Sequence, residues 1–280
     1  MGQWSATVRK EPIGILSDLF SSLQLTGLAR IGAALVLVLF AMLISRIQQL
    51  DLEKHMLIAV ARAFVQLIAI GYALDLVFAA DHPAYILLIQ TVMITVAGFT
   101  SGRRGKGVPH ATVVALISIA TGAFFTLGLL VLLGVFAFTP RDIIPVGGMV
   151  IGNSMNVCSL VMGRLRDEIR SQKGPIEAAL ALGASRRQAV MPHLHRALQS
   201  GMTPVVDSTK TIGLVQLPGA MTGMILAGAS PLQAVQLQII VMYMLIGAAS
   251  YTGLAAAYLT YLQFFTTNHQ LVEAGAQSAR

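Results

Sequence analysis

Seven long apolar stretches restrict the possible folds of this chain more than any other feature of its sequence. A helix needs roughly 17–25 apolar residues to cross a hydrocarbon layer of about 30 Å. Stretches of suitable length occupy residues 26–45, 56–78, 84–100, 110–137, 143–163, 205–228 and 232–262. Only 11% of the 280 residues are charged, and the mean hydropathy is +0.74. The sequence therefore predicts an all-α polytopic membrane protein with about seven transmembrane helices.

Outside the spans, three parts of the chain are more polar. Residues 13–23 carry apolar side chains at helical spacing, so we expect the N-terminal extension 1–25 to hold an amphipathic helix at the membrane interface. Segment 164–200 interrupts the transmembrane domain 26–262, and its Ala, Leu and Arg content predicts helix rather than a flexible linker. Residues 263–280 form a short polar tail.

Basic residues gather in alternate loops of this predicted topology. They are dense between the fifth and sixth spans, whereas the loops 79–83 and 229–231 carry none. Because basic loops stay in the cytoplasm, we expect a multi-pass membrane protein with its N-terminus outside and its C-terminus inside. The net charge of +7 is therefore explained by basic loops on one side of the membrane. We expect membrane lipid as a partner and no nucleic acid.

A helix suited to water is predicted within the cytoplasmic segment, at residues 174–188. Pro175 suits the first helical position, and Glu177 suits the positive end of the helix dipole. Small side chains follow, and Gly183 would cost about 1 kcal/mol relative to Ala in a helix interior. We therefore expect a partner to approach closely there, as a separate motor protein would when it transmits force to a pump.

Sequence motifs for catalysis and nucleotide binding are missing. The chain contains no GxxxxGK[ST] loop, GxSxG or HExxH sequence. Its single cysteine, Cys158, excludes a disulfide framework and a thiolate metal cluster. We therefore predict a transport subunit rather than an enzyme, with no cofactor of its own and with any motor on another polypeptide.

Polar side chains within the spans are candidates for a translocation path, because such groups are costly in lipid unless paired or hydrated. In the fifth span, Asn153 and Asn156 share a helical face and Ser154 lies beside them. They indicate either a polar cavity or interhelical hydrogen bonds. In the second span, Arg62 and Gln66 lie one turn apart, and Arg62 either lines a path or reaches the cytoplasmic interface.

The third and sixth spans add further candidates. Gln90 lies in the third span, and Asp207 and Lys210 are spaced to pair at the inner end of the sixth. That pair is either functional or an interfacial anchor. Gln216 lies deeper in the sixth span. The predicted path is thus Arg62, Gln66, Gln90, Asn153, Ser154, Asn156, Asp207, Lys210 and Gln216.

Methionine and glycine patterns recur in the fifth and sixth spans. Thioethers suit soft metal ions. Two roles are therefore considered for Met149, Met155, Met221 and Met224, namely core packing and metal ligation. Two GxxxG patterns permit close helix approach, either within one subunit or at a dimer contact or moving gate. They are Gly148 with Gly152, and Gly219 with Gly223.

Several segments resemble a known family. Glu177-Ala178-Ala179 followed by Gly183 resembles the EAA…G coupling motif of ATP-binding-cassette permeases. Residues 152–156 (GNSMN) and 207–231 are similar to the Fet-type permeases, which include FetB-like iron-export permeases and plant aluminium-tolerance membrane subunits. The likeness covers about residues 30–262. It implies a permease homodimer in a bacterial inner membrane, paired with a separate ABC ATPase subunit that binds ATP and Mg²⁺. The implied coupling residues are Glu177, Ala178, Ala179, Leu182, Gly183, Ala184 and Ser185.

The likeness implies export of a metal ion, with iron favoured, or of a small solute such as a nucleotide sugar. Asn, Ser and Met make a poor cage for Fe(II), which prefers imidazole and carboxylate ligands. The importer-type motif continues to an Ile-x-Leu-Pro element, whereas here Val190-Met191-Pro192 follows. An ion-gradient-driven transporter or channel with no ATPase, and a membrane scaffold, are the rival interpretations.

Overall fold

The computed structural model describes residues 27–80, 82–266 and 270–271. Its helices are α1 Gly27–Ile47, α2 Glu53–Ala80, α3 Ala84–Arg104, α4 Ala111–Leu132, α5 Pro140–Ser171, α6 Lys173–Ala181, α7 Arg186–Thr211, α8 Gly219–Leu226 and α9 Pro231–Gln263. Within these residues, β-structure is limited to two isolated bridges, at Ile212–Gln216 and Phe265–Leu271. The all-α polytopic class is therefore confirmed.

Five of the described helices, α2, α3, α4, α5 and α9, are long and apolar enough to cross a membrane. Their bounds lie close to those of the second, third, fourth, fifth and seventh predicted spans. Helix α1 coincides with the first predicted span and contributes the shorter apolar segment Ile31–Ile47. The predicted amphipathic helix at 13–23 and most of the tail 263–280 lie outside the described residues.

The chain divides into two compact units, Met1–Asp75 and Leu76–Arg280. In the described part of the first unit, a short turn joins α1 to α2, and the N–H of Leu50 donates to the Ser45 carbonyl at 3.0 Å. Large apolar side chains on both helices, such as Leu37 and Leu67, are exposed. Such exposure is expected of residues that face lipid, where an apolar surface costs nothing.

Helix α5 lies at the centre of the second unit and packs against α3, α4, α6, α7 and α9. Thr139 caps its N-terminus, where Oγ1 accepts a hydrogen bond from the Asp142 N–H at 3.3 Å, and Pro140 follows at a favourable first position. A buried stripe at helical spacing then runs along the helix: Val150, Ser154, Val157, Val161 and Leu165. The face of α5 that carries Asn153 and Asn156 borders the candidate site.

Small residues allow α4, α5 and α9 to approach one another closely. A Cβ on Gly122 of α4 would overlap the Thr252 side chain of α9. The Thr252 Oγ1 in turn donates to Ser154 Oγ of α5 at 3.0 Å, and both residues are buried. Close backbone approach and interhelical hydrogen bonds of this kind hold membrane helices together.

The predicted GxxxG pairs do not form such contacts within the described chain. A Cβ at Gly152, Gly219 or Gly223 would meet no atom within 4 Å, and one at Gly148 would lie 3.8 Å from Met93 Cε. Among the described residues, these glycines therefore make no close helix contact. A contact with a second copy, or a moving gate, stays a prediction for them.

The prediction of one helix over residues 174–188 is wrong. Helix α6 begins at Lys173, so Pro175 is its third residue, and it ends at Ala181. Gly183 follows the helix with a φ of +91°. Its N–H donates to the Leu180 carbonyl and that of Ala184 to the Ala179 carbonyl, both at 3.0 Å. This is the Schellman ending, which uses glycine for its left-handed backbone, so Gly183 terminates the helix.

The predicted sixth span, 205–228, is not one continuous helix. Helix α7 ends at Thr211, residues 212–218 are non-helical, and α8 begins at Gly219. Gly213 has a left-handed φ of +81°, and Pro218 lacks an N–H to continue a helical ladder. These two residues explain why the helix stops within the predicted span.

Candidate functional site

A polar cavity of about 350 Å³ lies between α5, α7, the non-helical segment 212–218, α8 and α9. Most of its wall is apolar. Its polar lining residues are Asn153, Asn156, Ser208, Gln216 and Gln238. Because these residues come from four parts of the chain that only the fold brings together, the cavity is the strongest candidate for a substrate site within the second unit.

Asn153 and Asn156 line this cavity and also make interhelical hydrogen bonds. The Asn153 Nδ2 donates to the Leu245 carbonyl of α9 at 3.1 Å. The Asn156 Oδ1 accepts from Arg104 Nη1, at the end of α3, at 3.1 Å. Both interpretations that the sequence left open, a polar cavity and interhelical hydrogen bonds, therefore apply. One face of α5 borders the cavity, and its asparagine side chains also bond to α3 and α9.

Gln238, which the sequence analysis did not select, lies in the same wall. It is only 5% exposed, and its Oε1 has no hydrogen-bond partner among the described residues. A buried amide oxygen without a partner is unusual, because lost hydration is not repaid. The available signal was a glutamine near the start of the last apolar stretch, which a search for charged residues passes over.

Ser154 and Gln90, both predicted for the path, do not line the polar cavity. Ser154 is buried against Thr252 in the crossing of α5 and α9. Gln90 lines a separate, mostly apolar cavity of about 400 Å³ between α3, α4 and the start of α5. Its Nε2 donates to the Ile143 carbonyl at 2.9 Å. These two polar groups hold helices together.

The predicted pair of Asp207 and Lys210 forms, with Lys210 Nζ donating to Asp207 Oδ1 at 3.0 Å. Both side chains are exposed and neither lines the cavity. Ser208, between them, does line it. Gln216 also lines the cavity, and its backbone carbonyl accepts from the Gly213 N–H at 3.1 Å.

Arg62 and Gln66 lie one turn apart on α2, in the first unit, and both are exposed. The polar cavity is lined by residues of the second unit. A role for Arg62 and Gln66 in the path stays a prediction.

The four methionines considered as metal ligands are distributed over different surroundings. Met149 lines the polar cavity, where Met242 supplies a second thioether. Met155 packs against the core, and Met221 and Met224 are half-buried on α8. The described residues contain no group of three His, Cys, Asp or Glu side chains placed to hold a metal ion.

The predicted coupling residues surround the turn between α6 and α7. We call residues 182–185 the coupling turn. Leu182 is 90% exposed at its tip, and Ser185 caps α7 by a reciprocal capping box with Gln188. Glu177 and Ala178 are exposed on α6, Ala179 and Ala184 are half-buried, and Gly183 is exposed.

Buried contacts hold the coupling turn against the rest of the second unit. Ile176 of α6 and Val190 of α7 are each 1% exposed in the core. The Glu168 carboxylate of α5 lies 3.1 Å from His193 Nδ1 and 3.7 Å from Arg196 Nη1. The exposed tip is therefore mounted on a supported helical hairpin.

The end of α5 nearest this hairpin also contacts the α3–α4 loop. Arg166 donates to the Lys106 carbonyl, and Arg170 Nη2 donates to the Gly107 carbonyl at 3.5 Å. Two of the basic loops thus lie at the same end of the helix bundle, as the charge pattern predicted.

Comparison with known proteins adds the following relationships. The pattern of the uncharacterised protein family UPF0014 matches residues 28–265. Protein ALUMINUM SENSITIVE 3 of Arabidopsis thaliana is 48% identical over 247 residues, which cover 88% of this chain and 90% of that protein. UPF0014 membrane protein STAR2 of Oryza sativa subsp. japonica is 48% identical over 250 residues, covering 89% and 88%. Probable iron export permease protein FetB of Escherichia coli (strain K12) is 39% identical over 242 residues, covering 86% and 93%. No solved structure matches the chain.

Proposed function

Because this chain belongs to the UPF0014 family, we propose that it is the membrane permease subunit of an ATP-binding-cassette exporter. In this proposal a separate subunit binds ATP and Mg²⁺, and the substrate crosses through the polar cavity. The chain itself holds no cofactor and catalyses no reaction. The C-terminus and the coupling turn face the cytoplasm of a bacterium, and the N-terminus faces outward.

The coupling turn is the observation that carries this proposal. Leu182 is a large apolar side chain, 90% exposed, and Arg186 and Arg187 follow shortly after it in the chain. Burying such a side chain in a partner contributes about 1.5–3 kcal/mol. A supported apolar tip on a short helical hairpin suits insertion into a groove of a motor subunit.

Iron is the first substrate candidate, supported by the printed name of the Escherichia coli relative, Probable iron export permease protein FetB. A small solute such as a nucleotide sugar is the second. The observation that favours the second is the lining of the polar cavity, whose polar residues are carboxamides and a serine hydroxyl. These groups recognise hydroxyl and carbonyl groups through directional hydrogen bonds.

A homodimer of permease subunits completes the proposal. The open surroundings of Gly152, Gly219 and Gly223 leave room for a second copy to approach the backbone closely. No atom of the described residues fills that space, which supports a contact with a second copy of the chain.

Co-purification with an ABC ATPase, followed by ATP-driven transport in vesicles, tests the proposal. In Leu182→Glu the buried apolar contact is replaced by a charge, so we expect the ATPase to bind about ten- to a hundredfold more weakly. Transport should fall in proportion while the helices stay folded, as measured by circular dichroism.

Gln199→Glu is the matched control. It places the same charge on an exposed position of α7, about 20 Å further along the helix, and should leave ATPase binding unchanged. Transport driven by an ion gradient with no ATPase bound, or equal ATPase binding by both variants, would overturn the proposed coupling.

A further inference from the structure

A cavity of about 300 Å³ lies between α7 and α9, close to the coupling turn. We call it the interfacial cavity. Its α7 wall begins at Arg187, shortly after the coupling turn, and its α9 wall reaches Tyr261, shortly before that helix ends. A Cβ on Gly253 of α9 would lie 3.0 Å from Leu198 Cδ1 of α7, so the two helices run antiparallel. The interfacial cavity therefore lies at the end of the membrane span α9.

The interfacial cavity is polar at one end and apolar at the other. Arg187, Tyr258 and Tyr261 line the end nearest the coupling turn, and Leu198 and Leu254 line the opposite end. At 1.5 Å per residue, Leu198 lies about 16 Å further along α7 than Arg187. A phospholipid carries its groups in the same order, with a charged phosphate at one end and acyl chains at the other.

The α9 side of the interfacial cavity faces outward from the helix bundle. Leu254 and Tyr258, which line it, are both more than half exposed. The Tyr258 ring packs edge to face against Tyr261, with ring centroids 5.1 Å apart. Tyrosines of membrane proteins favour the boundary between lipid and water. Lipid therefore has direct access to this cavity.

Positive charge at the polar end of the interfacial cavity has no acidic counterpart. None of the lining residues is acidic, and His195 adds a further ring N–H to the wall. Arg187 is exposed and has no carboxylate partner among the described residues. The carboxylates of Glu168 and Glu177 pair with other basic side chains. A guanidinium binds phosphate oxygens through parallel N–H donors, and a tyrosine hydroxyl donates to the same oxygens. The polar end is therefore suited to a phosphate group.

We infer that the interfacial cavity binds an anionic phospholipid of the leaflet that borders the coupling turn. The lipid phosphate accepts hydrogen bonds from the Arg187 guanidinium and the Tyr258 hydroxyl. One acyl chain lies against Leu198 and Leu254. The inference goes beyond the proposed function and needs no ATPase, because it depends only on the end of α9 and the membrane around it.

Native mass spectrometry of the full chain, purified in detergent and titrated with one lipid at a time, tests this inference. Dioleoyl phosphatidylglycerol should bind about fivefold more tightly than dioleoyl phosphatidylcholine, since one arginine near a membrane surface favours an anionic lipid by about this factor. Arg187→Gln should abolish that preference. Arg103→Gln is the matched control: it removes the same charge from an exposed position at the end of α3, outside the cavity, and should keep the preference.

A second pair of variants addresses the tyrosine hydroxyl. Tyr258→Phe keeps the ring and should weaken phosphatidylglycerol binding about threefold, the effect of one lost hydrogen bond. Tyr251→Phe, at another exposed position of α9 outside the interfacial cavity, should bind this lipid normally.

The same titrations separate a lipid from other occupants of the cavity. Glycerol 3-phosphate carries the phosphate without acyl chains and should not displace phosphatidylglycerol. Displacement by glycerol 3-phosphate, equal affinity for the two lipids, or the same loss in Arg187→Gln and Arg103→Gln would overturn the inference. So would a dimer that dissociates in Arg187→Gln while phosphatidylglycerol affinity stays unchanged, because a second copy of the chain would then occupy this cavity.

Discussion

Gly122 and Gly152 are the same residue type on adjacent helices, but their surroundings in the fold differ. A Cβ built on Gly122 would overlap the Thr252 side chain and would lie 3.1 Å from the Ala248 carbonyl oxygen. Gly152 faces open space. The sequence offered the GxxxG spacing of Gly152 as the sign of close packing, and the close packing occurs at Gly122, which has no such spacing.

Gly122→Ala and Gly152→Ala should therefore behave differently. The first places a methyl group where Thr252 and the α9 backbone leave no room, an overpacking cost of about 1–3 kcal/mol. The second meets no atom of the described chain and should leave the thermal unfolding midpoint of the monomer unchanged. Differential scanning fluorimetry of both variants in the same detergent would measure this, and equal midpoints would contradict the described crossing of α4 and α9.

Helix endings account for the two places where the predicted elements differ from the observed ones. Each involves a glycine with positive φ, Gly183 after α6 and Gly213 after α7. Hydropathy averaged over a long stretch does not register such a stop, because a single glycine changes the average little. The backbone conformation at one residue changes the direction of the chain, and this produces the coupling turn in one case and the cavity wall in the other.

Two alanine substitutions test this account with opposite signs. Gly183→Ala forces a left-handed backbone on a residue with a Cβ and should destabilise by about 1–2 kcal/mol. Gly163→Ala lies in the interior of α5 with open surroundings and should stabilise by up to about 1 kcal/mol. Thermal unfolding midpoints should move in opposite directions, and an unchanged or higher midpoint for Gly183→Ala would argue against the Schellman ending.

For the whole molecule, the proposed topology places the coupling turn and the loop after α4 on opposite sides of the membrane. The single cysteine, Cys158, is fully buried, so an introduced cysteine can be labelled selectively. Leu182→Cys should react with a membrane-impermeant maleimide only in inside-out vesicles, since basic loops stay cytoplasmic. Ala137→Cys, at an exposed position before α5, should react only in right-side-out vesicles. The reverse pattern would contradict both the orientation and the coupling role.

The polytopic all-α class and five of the seven predicted spans were predictable because both depend on local properties. A helix in lipid must satisfy its own backbone hydrogen bonds, so length and hydropathy within one segment indicate where it lies. Segment 164–200 is helical over most of its length, as its Ala, Leu and Arg content predicted. The helix bounds around Gly183 and Gly213 were not predicted, and a coupling role for the segment stays a prediction.

The membership of the polar cavity was decided by packing between distant segments. Asn153 reaches the Leu245 carbonyl across 92 positions of the sequence, and Gln238 enters the same wall from α9. Ser154, next to Asn153 in the chain, points instead into the crossing with Thr252. Adjacent residues on a helix face different neighbours, and only the arrangement of those neighbours settles which polar groups share a space.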